Sequence, residues 1–125
     1  MINNLDSKVN LEELKKEVAD FSTKRDWDQF HNAKELALAL SIESSELLEL
    51  FRWKTPEEVK EIMNDVSKKE EVKDELSDIF NFVLRIAQFY DIDLTSALRS
   101  KMKKNELKYP VDKFKGSNKK YNEDN

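Results

Sequence analysis

Apolar residues recur at helical spacing along most of the chain, and the polar residues between them repeatedly form helix starts. Asn10 precedes Leu11, Leu14, Val18 and Phe21, with Glu13 three residues after the asparagine, which predicts a helix over LEELKKEVADF. The stretch RDWDQFH then breaks the period. Asn32 followed by Glu35 opens a second helix, expected to run to about Trp53. Thr55, Pro56, Glu57 and Glu58 make a capping box with proline at the first helical position, starting a short segment through Val59, Ile62, Met63 and Val66. Ser67 with Glu70 reads as another capping box and predicts a third long helix to about Tyr90. Asp93 is placed to cap a fourth, LTSALRSKMKKNELK, which Pro110 ends. From Val111 the chain turns polar and reads as a loose tail. The expected fold is all-α, a bundle of four main helices in one domain over residues 1–110, with a polar basic tail over 111–125.

The composition narrows the chemistry such a bundle can do. Among 125 residues there is no Cys, one His and one Gly, and that glycine is Gly116 near the end of the sequence. Thiolate nucleophiles, Cys-ligated metals, two-histidine zinc motifs, phosphate-binding glycine loops and nucleophile elbows are all excluded. Carboxylates, hydroxyls, basic side chains and a bound metal are what remain. No apolar run reaches membrane-spanning length, and the opening MINNLDSKVN has no signal-peptide core, so the expected location is the cytoplasm, away from membranes. Residues 1–98 are strongly acidic and residues 99–120 strongly basic. That asymmetry suits a metal site with a phosphate-binding strip, and equally an ordinary basic tail. The acidic body and the lack of aromatics among the basic residues argue against nucleic acid as a partner.

Certain acids fall where a soluble helix would place apolar side chains. With Leu36 at 0° and a step of about 100° per residue, Leu47, Leu40, Leu50 and Ala39 define an apolar stripe; Glu43 falls within it near 340°, Glu46 near 280°, and Glu49 on the polar side. On the third long helix, with Val72 at 0°, Glu75 falls near 300° between Phe82 and Ile86, and Asp78 near 240° at the stripe's edge. Two helices thus each aim an i, i+3 acid pair inward. Four inward carboxylates need compensation. Few basic residues are expected on these stripes, leaving shared protons or a hard divalent cation, Mg²⁺ or Mn²⁺.

Glu43-Ser-Ser-Glu46 and Glu75-Leu-Ser-Asp78, set between RDWDQFH (25–31) and SKMKKNELKYP (100–110), resemble the MazG-like nucleotide pyrophosphohydrolases. Together with ELALALSIESSELLELFRWKT (35–55) and DELSDI (74–79), the likeness is to the dCTP pyrophosphatase-like branch and covers roughly residues 20–110. The resemblance implies an all-α NTP pyrophosphatase fold and Mg²⁺-dependent hydrolysis of a (deoxy)nucleoside triphosphate, dCTP-like by preference, to the monophosphate and pyrophosphate. It implies Glu43, Glu46, Glu75 and Asp78 as metal ligands, with Glu46 the choice for general base. It further implies Trp27, His31 and Trp53 around the base, and Lys54, Lys101, Asn105 and Tyr109 toward phosphates and sugar. The chain departs from many relatives in carrying Ser44 and Ser45 where a glycine is common, and residues 56–73 have no evident counterpart. Relatives are dimers or tetramers, and Ala37, Leu48, Phe51, Phe80, Leu84 and Ala87 widen the apolar circumference beyond one stripe, so a homo-oligomer is expected. The competing expectations are a broad house-cleaning pyrophosphatase for non-standard nucleotides, and a non-catalytic helical oligomerisation module.

Overall fold

The polar starts named above become helix N-caps. In a computed structural model that describes residues 4–123, Asn10 Oδ1 accepts from the Glu13 N–H at 2.9 Å and opens α1, Leu11–Thr23. Asn32 Oδ1 accepts from the Glu35 N–H at 2.9 Å and opens α2, Ala33–Glu49. The Thr55–Glu58 capping box forms in both directions and opens α3, Pro56–Asn64. Each cap satisfies a backbone N–H that the first helical turn leaves without a partner.

Two boundaries differ from the sequence expectation. The cap of α4, Val66–Phe89, is Asp65, whose Oδ1 accepts from the Lys68 N–H at 2.8 Å, and Ser67 lies inside the helix. A carboxylate at the cap also meets the positive end of the helix dipole, which a serine hydroxyl does less strongly. The second helix stops at Glu49 rather than near Trp53, because Phe51–Trp53 form a turn in which Trp53 takes φ 63°. That left-handed position is where a helix usually places glycine, and this segment has none to offer.

The described residues contain no strand, and the expected all-α class holds. The chain divides into two compact units, Met1–Asp91 and Ile92–Asn125. In the first, α4 is the central helix and packs against α1, α2 and α3. Leu36, Ile62, Val72, Leu84 and Ala87 are its buried apolar residues, one each from α2 and α3 and three from α4. Leu84 and Ala87 therefore belong to the interior of the unit and not to an outer apolar face, while Leu48 and Phe80 are exposed as expected. The Ala33 N–H donates to the Tyr90 hydroxyl at 2.6 Å, which ties the start of α2 to the end of α4. The second unit holds α5, Leu94–Lys108, capped by Asp93, and the short α6, Val111–Phe114. The segment expected to be a loose tail thus begins with a helical turn, against which Tyr109 packs through Phe114 and also meets Tyr121. No helix among the described residues is long and apolar enough to cross a membrane.

Candidate active site

Helices α2 and α4 face each other, and this brings the two acid motifs together. Glu43, Glu75 and Asp78 each offer a carboxylate oxygen, and the three oxygens lie within 4.8 Å of one another. Glu43 and Glu75 are half-buried and Asp78 is exposed. Glu46, one turn beyond Glu43, is exposed, and its charge reaches both Glu43 and Glu75. The hydroxyls of Ser44 and Ser45 turn back onto the Leu40 and Ser41 carbonyls of their own helix, at 2.9 and 3.0 Å.

Crowding of acids has the expected electrostatic result. Burial first, then contact with the Glu75 and Glu46 carboxyls and the charges of Glu46 and Asp78, pushes the Glu43 carboxyl up to about 7. Burial also raises Glu75, although its contact with Glu43 works the other way. The two titrate as a unit. One oxygen of each, Glu43 Oε2 and Glu75 Oε2, is buried without a hydrogen-bond partner. Buried carboxylate oxygens without partners are costly. An all-oxygen donor set of this charge suits a hard divalent cation, so the residues present fit a metal.

The residues expected around the base, Trp27, His31 and Trp53, lie in the first unit, and no ring contact or hydrogen bond joins the two tryptophans or either of them to His31 among the described residues. Trp27 precedes a short 3-10 turn, Asp28–Phe30, and meets Phe21 edge to face at 5.8 Å between ring centres. Arg25 lies 3.6 Å over the Phe21 ring. Trp53 is 86% exposed with Arg52 5.1 Å from its ring, a bulky side chain on strained backbone and open to solvent. Lys54 is exposed and lines a cleft with Leu50, Glu58, Glu61, Ile62, Lys68 and Glu71. Lys101, Asn105 and Tyr109 belong to the second unit; all three are exposed, and the Tyr109 N–H donates to the Asn105 carbonyl at 2.8 Å.

His31 brings in a residue that the sequence reading passed over. Arg85 of α4 is 3% exposed and donates from Nε to His31 Nδ1 at 3.0 Å, from Nη1 to Gln88 Oε1, and from Nη2 to Asp28 Oδ1. Arg85 of α4 and Lys15 of α1 are the buried basic side chains among the described residues. A signal was present: Arg85 follows Asp78 by seven residues, which on a helix returns to within about 20° of the same direction.

Comparison with known proteins adds the family. The MazG-like family model matches residues 38–123, which include both acid motifs. The chain belongs to the MazG-like family. This MazG-like chain is 38% identical over 115 residues to the dCTP pyrophosphatase 1 of Bos taurus, covering 92% of the chain and 68% of that protein. It is 37% identical over 113 residues to the dCTP pyrophosphatase 1 of Homo sapiens, covering 90% of the chain and 66% of that protein. The chain thus spans about two thirds of the length of these curated relatives. A crystal structure of a pyrophosphatase from Archaeoglobus fulgidus superposes with a TM-score of 0.74 at 37% identity, over 80% of this chain and 92% of that one. The expected kinship with the dCTP pyrophosphatase-like branch is borne out, and with it the expectation of a nucleotide pyrophosphatase.

Proposed function

We propose that this chain hydrolyses a dCTP-like nucleoside triphosphate to the monophosphate and pyrophosphate, with Mg²⁺ as its metal and Mn²⁺ as a substitute. The observation that carries the proposal is the pair of buried, partnerless oxygens on Glu43 and Glu75 beside the Asp78 carboxylate. Glu43, Glu75 and Asp78, with Glu46 next to them, would hold the ion, which when bound neutralises phosphate oxygens and acidifies a water. Glu46, exposed at the edge of the cluster, accepts the proton of the attacking water. The water oxygen bonds to the α-phosphorus, the bond from that phosphorus to the α–β bridging oxygen breaks, and pyrophosphate leaves with the electron pair.

Recognition of the nucleotide falls to the remaining candidates. Trp27 and Trp53 offer flat faces for a base, and stacking of this kind contributes about 1–3 kcal/mol per base. His31 supplies a directed hydrogen bond to the base. Lys54, Lys101, Asn105 and Tyr109 contact phosphates and sugar. Self-association into dimers or tetramers is part of the same reading, supported by exposed Leu38, Ile42 and Leu48 on α2 and Leu76 and Phe80 on α4.

Pyrophosphate release from dCTP, dATP, dGTP and dTTP, each with Mg²⁺ or with EDTA, tests the function. The expected result is metal-dependent release, fastest from dCTP and abolished by Glu43→Gln in a folded protein. Equal rates on all four nucleotides overturn the base preference; release that is indifferent to EDTA overturns the metal role.

A further inference from the structure

Arg85 has no place in the chemistry above, yet it is among the most buried side chains of the protein. A buried guanidinium is tolerated only when its donors are met and its charge is balanced. All three of its nitrogens are engaged, Nε by His31 Nδ1, Nη1 by Gln88 Oε1 and Nη2 by Asp28 Oδ1, and its charge is balanced by Asp28. The Phe89 ring lies 4.9 Å from its centre. The other Asp28 oxygen accepts from the Thr23 hydroxyl at 2.9 Å. Arg85 therefore clamps the Trp27–His31 segment, which joins α1 to α2, onto α4.

The clamp has a chemical consequence. Arginine donates hydrogen bonds and accepts none, so the ring nitrogen it meets must be unprotonated. That atom is His31 Nδ1, at 3.0 Å. A neutral imidazole with an unprotonated Nδ1 carries its proton on Nε2. Among the described residues none is hydrogen-bonded to that Nε2. We propose that Arg85 is a positioning residue that holds His31 as the neutral Nε2–H tautomer, so that His31 presents a donor and the nucleotide group it recognises is an acceptor. A pyrimidine whose Watson–Crick edge carries an unprotonated ring nitrogen and a carbonyl, as cytosine's does, offers such acceptors. The groups facing His31 agree: burial first, then the Arg85 charge, lower its proton affinity, and only Asp28 opposes them.

This inference rests on the nucleotide reading for its ligand, but its central claim is read without turnover. His31 is the sole histidine in the sequence, so long-range ¹H–¹⁵N correlation spectra of the uniformly labelled protein report one imidazole without assignment. The wild type at pH 7.5 is expected to show the neutral Nε2–H pattern, persisting to a pH below the ordinary histidine midpoint of about 6.5. An Nδ1–H tautomer or an imidazolium at pH 7.5 overturns the inference without any variant. Arg85→Met is expected to give a mixed tautomer, an upward-shifted midpoint and a KM for dCTP raised about tenfold with kcat changed less than twofold. Arg85→Lys is expected to recover only part of this, because an ammonium has no fork to span three partners. A folded Arg85→Met with the wild-type tautomer and KM also overturns the inference. A wild type with the expected tautomer that releases pyrophosphate from no nucleotide overturns the function and leaves the clamp standing.

Discussion

Removing one carboxylate from the acid cluster is expected to make the metal-free protein more stable, not less. Glu43→Gln is the informative change, since the amide keeps the shape and can donate to the Glu75 carboxylate. The three ligand oxygens lie within 4.8 Å of one another. Two unit charges at that separation repel by roughly 3.5 kcal/mol at an effective dielectric of 20 and by roughly 0.9 kcal/mol in water. Asp78 is exposed and Glu43 and Glu75 only half-buried, so the lower end applies, and a relief of about 1–2 kcal/mol is expected at low salt. For a chain of this size that is a rise in Tm of about 4–8 °C. The folded protein holds the Glu43 proton more tightly than the unfolded chain, with its carboxyl raised from 4.5 to about 7. Wild-type stability from this group is therefore complete below pH 4.5 and lost as the pH rises through about 7. The advantage of Glu43→Gln should accordingly be full at pH 8 and nearly absent at pH 5. Thermal melts in EDTA at both pH values measure it. Adding Mg²⁺ at 100 times its dissociation constant should stabilise the wild type by about 2.7 kcal/mol and leave the variant little changed. A Glu43→Gln protein less stable than wild type at pH 8 in EDTA would refute the reasoning, because it would mean that the carboxylate is structurally satisfied.

The remaining expectations are briefer. Metal binding must displace the proton shared by Glu43 and Glu75, so Mg²⁺ titrated at pH 6 should release about one proton and bind roughly tenfold more weakly per pH unit below 7; calorimetry in two buffers of different ionisation enthalpy reads both, and equal affinity at pH 6 and 8 would contradict it. Trp53→Gly should raise stability by about 1 kcal/mol, because glycine accepts the left-handed backbone that costs a larger residue roughly 1–2 kcal/mol, while KM for dCTP rises tenfold or more. Asp65→Ala should cost about 1 kcal/mol as a lost cap, whereas Ser67→Ala should fall within about 0.5 kcal/mol of wild type; urea melts that rank them the other way would restore the serine as the cap. Leu36→Ala, at a fully buried position of α2, should cost about 2–5 kcal/mol by the same measurement.

Helix starts were readable because caps are local. Asn10, Asn32, Thr55 and Asp93 each act through a backbone N–H three residues away. Ser67 misled because two overlapping cap patterns compete there, and the carboxylate of Asp65 prevails. The end of α2 was harder, since Trp53 occupies a backbone state that its side chain disfavours. Glu43 and Glu75 were legible from angular placement, as charge on an apolar stripe is costly enough to demand a reason, whereas Glu46 and Asp78, expected to point inward as well, are exposed. Arg85 was not legible. Its partners Asp28 and His31 are more than fifty positions away in sequence, and no periodicity within α4 reveals a contact made by a loop that folds over it. Pairings of that kind belong to tertiary structure.

Helix α4 carries Glu75, Asp78 and Arg85 on one unbroken run of backbone. From Asp78 to Arg85 the helix rises on the order of 10 Å and nearly completes two turns. The inserted or deleted codon is therefore a sharper constraint here than the substituted one. One residue added between them would swing the arginine by about 100° relative to the acids, unseating the histidine while leaving every side chain chemically intact. Seven residues added would restore the direction but lengthen the reach by about 10 Å. Point changes can drift through this helix, but its length between those two positions is locked, and a variant library built with insertions there should yield survivors far more rarely than one built in the α2–α3 turn.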